Sequence, residues 1–412
     1  MARRRIYRVA LLASLPLAAA AQAPSADSLA ARLRRAEAAI EVLQRQLAEQ
    51  AGSAVTSRSG ASIEITGRVL TNGFGNSRRV NNVDNPQFIR PDSSAGFPAR
   101  GVGMAMRQTR VGLVVRMPDV LGGSFDGDID VDFAGGQFPS SGGRTFPLVR
   151  LRTARAFVRW SNAHVMVGQE SPLVSGLNPV APAAASTPLF ATAGNLWLWL
   201  PQARVGFEAR QAMRFGVQGA VLAPTSGDAA AAIETDNDLA ERSQRPYLQA
   251  RAYVGWGETS SEGEIGCGVH QGWIVPVTTV ESSQAVACDA IVPVLNWLDF
   301  RGEYFSGKAL RGLGGGGIGQ NTAAGNVPLN TSGGWLQMNL APGPGWRLGV
   351  GCGGDHPDNA PTRLRNDACS AYAIVRPSGP LFLGAEFRRM RTDYAAGRLT
   401  GDHVTLALGF EF

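Results

Sequence analysis

The most constraining feature of the chain is a strict alternation of side chains over residues 401–412. From position 404 every second residue is apolar: Val404, Leu406, Leu408, Phe410 and Phe412. Successive side chains of an extended strand point to opposite faces, so this strand has one apolar face and one small or polar face. The same alternation recurs over residues 62–74, 105–117 and 125–133. A chain of this kind must fold into a structure that accommodates many half-apolar strands.

The alternating segments are joined by short turns and long loops in regular succession. Short turns are expected near 118–123, 210–212, 257–261, 295–297, 341–345 and 377–380, and long loops over 76–100, 135–147, 224–244, 310–332 and 353–366. The count is about sixteen strands, an even number within the range of membrane β-barrels. Glycine is abundant, at 51 residues, which suits many turns. The predicted fold class is all-β, an antiparallel transmembrane β-barrel over residues 62–412.

The segment before residue 62 shows different patterns and predicts two further units. Residues 1–21 predict a cleaved signal peptide, with arginines at 3–5, an apolar stretch over 9–17 and small residues at 19–21. Residues 22–61 predict a periplasmic α-helical coiled coil and a linker, because apolar side chains from Leu29 to Leu47 are spaced four and three apart. The alternative is a lone amphipathic helix resting on its own domain, and the spacing does not distinguish a dimer from a trimer.

The placement of the tryptophans is an independent indication of a membrane barrel. Two tryptophans lie where a loop leads into a strand and six lie near expected strand ends: Trp197 and Trp199, then Trp160, Trp256, Trp273, Trp297, Trp335 and Trp346. Aromatic girdles at the two lipid–water boundaries of a barrel would produce this placement. A soluble sandwich would place tryptophan at strand centres, so a secreted soluble β-protein is the less favoured alternative.

The whole chain resembles the outer-membrane porins, and among them the trimeric DcaP-like porins. The resemblance rests on the N-terminal segments, the strand rhythm, and residues 301–307 and 409–412. It implies a homotrimer in outer-membrane lipid, with a periplasmic coiled coil, and diffusion of small, often anionic solutes, including dicarboxylates. It also implies that the barrel-assembly machinery recognises Phe412, and that a long loop, residues 170–200, folds into the lumen as a constriction.

Polar faces of barrel strands line the lumen, so their charged residues are the candidate solute contacts. We predict these pore-lining residues: Arg110, Arg116, Asp128, Asp130, Arg152, Arg204, Glu208, Arg251, Arg301 and Glu303. By simple alternation, the arginines at 150, 152, 155 and 159 fall on both faces of one strand, so some are expected at a subunit interface or the rim. For any single residue, the alternative is a charge that only hydrates the lumen and pairs with a neighbour.

The 170–200 loop predicts an unusual constriction. Its only charged residue is Glu170, and the rest is rich in proline, alanine, leucine, serine and threonine. A largely uncharged wall would then face an arginine-bearing wall. Arginine side chains favour anions, so such a constriction would pass small anions with an apolar portion.

Other chemistries find little support in the sequence. The four histidines lack motif spacing, the acidic run at 126–130 lacks the glycine and final glutamate of a calcium loop, and the glycine run at 312–319 lacks the ending of a phosphate loop. We therefore predict no enzyme activity, no cofactor and no metal. The net charge of +6 falls to about +2 without the four arginines of residues 1–21, so the charge does not indicate a nucleic-acid partner.

The four cysteines form two pairs along the chain, Cys267 with Cys288 and Cys352 with Cys369. In an exported protein each pair could be a disulfide that joins neighbouring strands of one hairpin. Packing as small apolar side chains is an equal alternative. Spacing alone does not decide between the two.

The predicted function is that of an outer-membrane porin for ion transport, which lets small, carboxylate-bearing anions diffuse passively. The alternative is a non-conducting barrel that acts as an adhesin or an envelope anchor. Both interpretations place the protein in the cell outer membrane. The sequence does not name the solute or say whether the pore is gated.

Overall fold

A computed structural model describes residues 55–56, 60–92, 99–135, 146–184, 186–227, 237–257 and 262–412. The predicted signal peptide and the coiled-coil helix lie outside these residues. The described chain forms one antiparallel sheet that closes on itself, because its first long strand pairs with its last. Val69 faces Phe410 across this closure. The predicted all-β antiparallel barrel is confirmed.

The barrel has sixteen strands, and the second of them is broken into two segments. In chain order the strands are β1 (Ser62–Asn76), β2 (Gly101–Ala105 and Arg110–Val120), β3 (Gly123–Gly135), β4 (Leu148–Arg159), β5 (Ala163–Glu170), β6 (Leu200–Arg210), β7 (Arg214–Leu222), β8 (Tyr247–Trp256), β9 (Gly263–Ile274), β10 (Glu281–Leu295), β11 (Leu298–Lys308), β12 (Asn330–Leu340), β13 (Trp346–Pro357), β14 (Arg363–Val375), β15 (Leu381–Tyr394) and β16 (Gly397–Glu411). A two-residue strand, Val55–Thr56, precedes them. Both segments of β2 pair with β1, so together they occupy one position in the barrel.

Helical structure in the described residues is confined to single turns within long loops. These turns are Glu241–Ser243, Arg311–Leu313, Gly316–Gly319 and Ala324–Asn326. None of the helices in the described ranges is long and apolar enough to cross a membrane. The sheet and its loops therefore position the interior side chains.

The outer face of the sheet is apolar and exposed. On β7, Phe215 and Val217 are 52% and 56% exposed, whereas Gly216 is buried and Gln218 lines an interior cavity. Other strands present similar exposed side chains: Ile129, Val205, Phe207, Val286, Leu336, Leu406 and Leu408. An apolar surface of this extent is unfavourable in water, and it matches the lipid-facing band of a membrane barrel. Strand alternation thus separates an apolar exterior from a polar interior.

The two ends of the barrel differ in their connections. At one end, called the turn end below, short connections such as 121–122, 211–213 and 296–297 join neighbouring strands. At the other end, called the loop end, long connections occupy residues 77–100, 136–147, 171–199, 223–246 and 309–329. The functional candidates lie between these two ends, inside the barrel.

One predicted loop is wrong, because residues 353–366 are mostly strand. β13 continues to Pro357 and β14 begins at Arg363, which leaves only 358–362 as a connection. The glycines of this segment suggested a loop, but Gly353 lies in the sheet and allows another chain segment to approach. A Cβ at position 353 would stand 2.2 Å from the carbonyl oxygen of Ala193. Glycine is needed there for close packing and not for a turn.

Two disulfides join neighbouring strands. Cys267 of β9 faces Cys288 of β10, and Cys352 of β13 faces Cys369 of β14, each directly across the ladder. The sequence leaves two interpretations open for these cysteines, and in the structure both pairs are disulfides. The cysteines follow the outward positions of their strands, so both bridges lie on the outer face of the barrel.

Candidate functional site

The connection between β5 and β6, residues 171–199, enters the barrel and is called the inserted loop below. Side chains of β8 and β12 hold the backbone of this loop. The amide of Val174 donates to Oε1 of Gln249 on β8 at 3.0 Å, and the amide of Val180 donates to Oε1 of Gln337 on β12 at 2.8 Å. Gln337 in turn donates from Nε2 to the Val180 carbonyl oxygen at 2.8 Å. Since β12 lies seven strands from β5, the inserted loop spans the interior.

Apolar packing holds the inserted loop against the same wall. Leu189, Phe190 and Ala193 form a buried cluster with Trp335 of β12. The ring centroids of Phe190 and Trp335 are 6.4 Å apart. The sequence places Trp335 near a strand end, and this prediction is wrong, because Trp335 lies in mid-strand and is 4% exposed. The inserted loop buries this inward position, which alternation alone does not reveal.

The opposite wall carries a ladder of ion pairs on the inner face of β2, β3 and β4, called the arginine wall below. It consists of Arg110, Arg150, Arg152, Arg155 and Arg159 with Asp126, Asp128, Asp130 and Asp132. Arg110 Nη2 lies 2.8 Å from Asp130 Oδ2, and Arg150 Nη2 lies 2.6 Å from Asp132 Oδ2. Arg155 Nε lies 2.8 Å from Asp128 Oδ1, and Arg159 pairs with Asp126.

A β-bulge at Arg152 brings the arginines of β4 onto one face. Asp130 pairs with Thr153 and Val131 with Leu151, so Arg152 is the extra residue between them. All four β4 arginines therefore contact the aspartates of β3, and the expected division between two faces is wrong. A bulge shifts the alternation by one residue, and nothing in a period-two pattern marks its position.

The inserted loop and the arginine wall meet at Trp199. Cζ of Arg152 lies 4.6 Å from the ring centroid of Trp199, and Cζ of Arg150 lies 5.2 Å from it. Arg150 also donates to the carbonyl oxygen of Ser186. At the start of the loop, Arg155 pairs with Glu170. An aromatic, uncharged segment thus lies directly on a guanidinium-rich wall.

Three other predicted residues lie near the inserted loop. Arg204 donates from Nη2 to the carbonyl oxygen of Ser171 at 3.1 Å. Arg251 pairs with Asp289 and with Glu264, the latter at 3.1 Å. Glu303 is 4% exposed, and the Leu196 amide and Trp335 Nε1 each donate to its carboxylate at 3.4 Å. Glu303 therefore anchors the inserted loop, while the two arginines border an open cavity.

The last three predicted residues lie toward the turn end, apart from the constriction. Arg116 pairs with Glu64 at 2.7 Å, and Arg301 pairs with Asp299 at 2.8 Å. Glu208 accepts a hydrogen bond from the Tyr253 hydroxyl at 2.6 Å. Each lies at an inward position of its strand, and contact with a solute stays a prediction for all ten.

Two cavities flank the inserted loop. The cavity on the turn side has a volume of about 520 Å³, and its charged lining includes Arg155, Arg204, Arg251, Glu264 and Asp289. The cavity on the loop side has a volume of about 360 Å³, and its lining includes Arg107, Arg150, Arg311, Trp197 and Trp199. The turn-side cavity is therefore mixed in charge, whereas the described lining of the loop-side cavity contains arginine and no carboxylate. Within the described ranges no group of His, Cys, Asp and Glu is arranged to hold a metal ion.

Sequence reasoning missed Arg107, which lines the loop-side cavity. Arg107 lies in the break of β2 and pairs with Asp84, at 2.8 Å between Nη2 and Oδ1. The two side chains are 1% and 0% exposed. Its partner belongs to the 77–100 connection, so no spacing along the chain could have indicated the pair.

The closed, externally apolar barrel with a loop folded inside has the architecture of transmembrane β-barrels. Neither a protein-family model nor a curated protein matches the sequence. Solved structures do match over most of the chain. The outer membrane channel DcaP of Acinetobacter baumannii is 18% identical, with a TM-score of 0.65 over 87% of this chain and 100% of that chain.

Two further porins share the architecture. The anion-selective porin from Comamonas acidovorans is 12% identical, with a TM-score of 0.56 over 85% of this chain and 100% of that chain. OmpF of Salmonella typhi, solved with daunomycin, is 9% identical, with a TM-score of 0.53 over 86% of this chain and 99% of that chain. At these identities the likeness is one of fold. The predicted resemblance to outer-membrane porins, DcaP among them, is confirmed at that level.

Proposed function

We propose that the protein is a DcaP-like outer-membrane porin that lets small, carboxylate-bearing anions cross by passive diffusion. The observation that carries this proposal is the uncharged inserted loop on the arginine wall of a closed, externally apolar barrel. Fixed positive groups along a narrow aqueous path attract anions. Guanidinium groups also match the planar geometry of carboxylates.

The aspartates of the arginine wall do not cancel this preference, because most of them are less exposed than their partners. The side chain of Arg110 is 39% exposed against 19% for Asp130, and that of Arg150 is 27% exposed against 0% for Asp132. A passing solute therefore meets more guanidinium than carboxylate surface. The fold shared with an anion-selective porin supports the same direction.

Planar-bilayer recording tests the proposal. The purified protein should form open channels, and the reversal potential in a KCl gradient should have the sign of chloride preference. A sign that indicates cation preference would overturn the anionic solute class, but the protein would still be a porin. Absence of conductance from correctly folded barrels would instead favour the non-conducting barrel, an adhesin or envelope anchor.

The proposal includes an assembly and a location. Residues 1–21 would be removed as a signal peptide, residues 22–61 would form a periplasmic coiled coil and linker, and residues 62–412 would span the outer membrane as a homotrimer. Phe412 would be the contact with the barrel-assembly machinery. The turn end would then face the periplasm. Native mass spectrometry of the detergent-solubilised protein should give three copies, and the mass of each copy should lack residues 1–21.

A further inference from the structure

Three residues that line the loop-side cavity each have a buried hydrogen-bond donor that the protein itself does not use. Nη1 of Arg107, Nε1 of Trp197 and the Ser186 hydroxyl are buried, and none has a hydrogen-bond partner among the described residues. All three residues line this cavity. Arg107 and Ser186 are each 1% exposed. A buried donor without a partner is costly, so three of them at one cavity indicate a missing acceptor.

The charge around these donors selects the kind of acceptor. Arg107, Arg150 and Arg311 line the cavity, and no aspartate or glutamate does so among the described residues. The carboxylates that pair with the first two, Asp84 and Asp132, are both 0% exposed behind their arginines. Among the described residues, guanidinium groups and no carboxylate line the cavity, which suits a negatively charged oxygen.

We propose that the loop-side cavity is a saturable binding subsite for a small oxyanion, a carboxylate or phosphate group, ahead of the constriction. The oxyanion would accept hydrogen bonds from Arg107 Nη1, Trp197 Nε1 and the Ser186 hydroxyl. A solute held here lies next to Trp199 and Arg150, where the inserted loop meets the arginine wall. Its part in transport rests on the proposed function, but binding to the folded barrel does not.

The test uses two variants that delete only unused donors. Trp197→Phe removes Nε1 and keeps an aromatic ring, and Ser186→Ala removes a hydroxyl that makes no bond in the structure. Matched controls are Trp346→Phe at the turn end and Ser370→Ala. Ser370 is 5% exposed and its hydroxyl is also unpartnered, but it does not line the cavity.

Binding is measured by calorimetric titration of the purified protein in detergent, in chloride-free buffer, with acetate and with inorganic phosphate as separate probes. The wild type should bind at least one probe with one saturable site. Each deletion should weaken binding about tenfold, as expected for one hydrogen bond to a charged group, and the controls should not change it. The stronger probe identifies the carboxylate or the phosphate as the preferred chemistry.

Two results would overturn the subsite: no saturable binding of either probe, or equal binding by the deletion variants and the wild type. Each can occur in a protein that conducts and prefers anions, so the proposed function would stand. Conversely, the wild type could show saturable binding that Trp197→Phe loses, while the protein does not conduct. That result would support the subsite and overturn the proposed porin function.

Discussion

Gly194 of the inserted loop lies directly against Gly334 of β12. A Cβ at position 194 would stand 2.2 Å from the carbonyl oxygen of Gly334, and Gly194 has a φ of +103°. The contact and the backbone conformation both require glycine, because an L side chain rarely adopts this φ. This contact holds the C-terminal part of the inserted loop against β12, on the wall opposite the arginines.

Replacing Gly194 with alanine should release that part of the inserted loop. The strained φ alone costs about 1–3 kcal/mol, and the clash with the β12 backbone adds to it. We expect a larger single-channel conductance with more fluctuation, because the loop narrows the interior. Gly176→Ala is the matched control, since a Cβ there meets nothing within 4 Å. Equal conductance of the Gly194 variant and the wild type would show that the loop does not limit the current.

The paired replacement of Arg110 and Arg152 with alanine should reduce anion preference. Both guanidinium groups contact Asp130, at 2.8 and 3.2 Å, so their removal leaves its negative charge uncompensated. The reversal potential in a KCl gradient should move toward zero or reverse its sign. Arg389→Ala is the control, because that side chain is 54% exposed on the outer face of β15. An unchanged reversal potential would reject these two arginines as selectivity residues.

Alternation along the chain was sufficient to predict the barrel, its strand number and most inward residues. It depends only on the separation of lipid from water, which acts at every strand position. Three features were not predicted, because they arise from contacts between distant segments. The bulge at Arg152 shifts one strand, Trp335 is buried by a loop from across the barrel, and Gly353 makes room for Ala193. None of these contacts produces a periodic pattern in the sequence.

Removal of a disulfide should lower stability without closing the channel. The bridged cysteines are 21 and 17 positions apart, and a loop of about 15 residues corresponds to roughly 3 kcal/mol in the chain-entropy account. Cys267→Ala with Cys288→Ala should therefore lower the temperature at which gel mobility shifts from the folded to the unfolded form. Reductant should lower that temperature in the wild type. In a variant with all four cysteines replaced, reductant should have no effect, and any remaining effect would refute this account of the bridges.

The two faces of β7 allow a direct test of the membrane assignment. Val217 is 56% exposed on the outer face, and its neighbour Gln218 lines the turn-side cavity. Val217→Arg should destabilise the barrel by about 2–4 kcal/mol in lipid, because the charge would face hydrocarbon near mid-strand. Gln218→Arg should cost much less, since the carboxylates of Glu264 and Asp289 line the same cavity. Urea unfolding in lipid vesicles measures both. Equal costs for the two variants would mean that β7 does not separate lipid from water, and the transport proposal would then lose its physical basis.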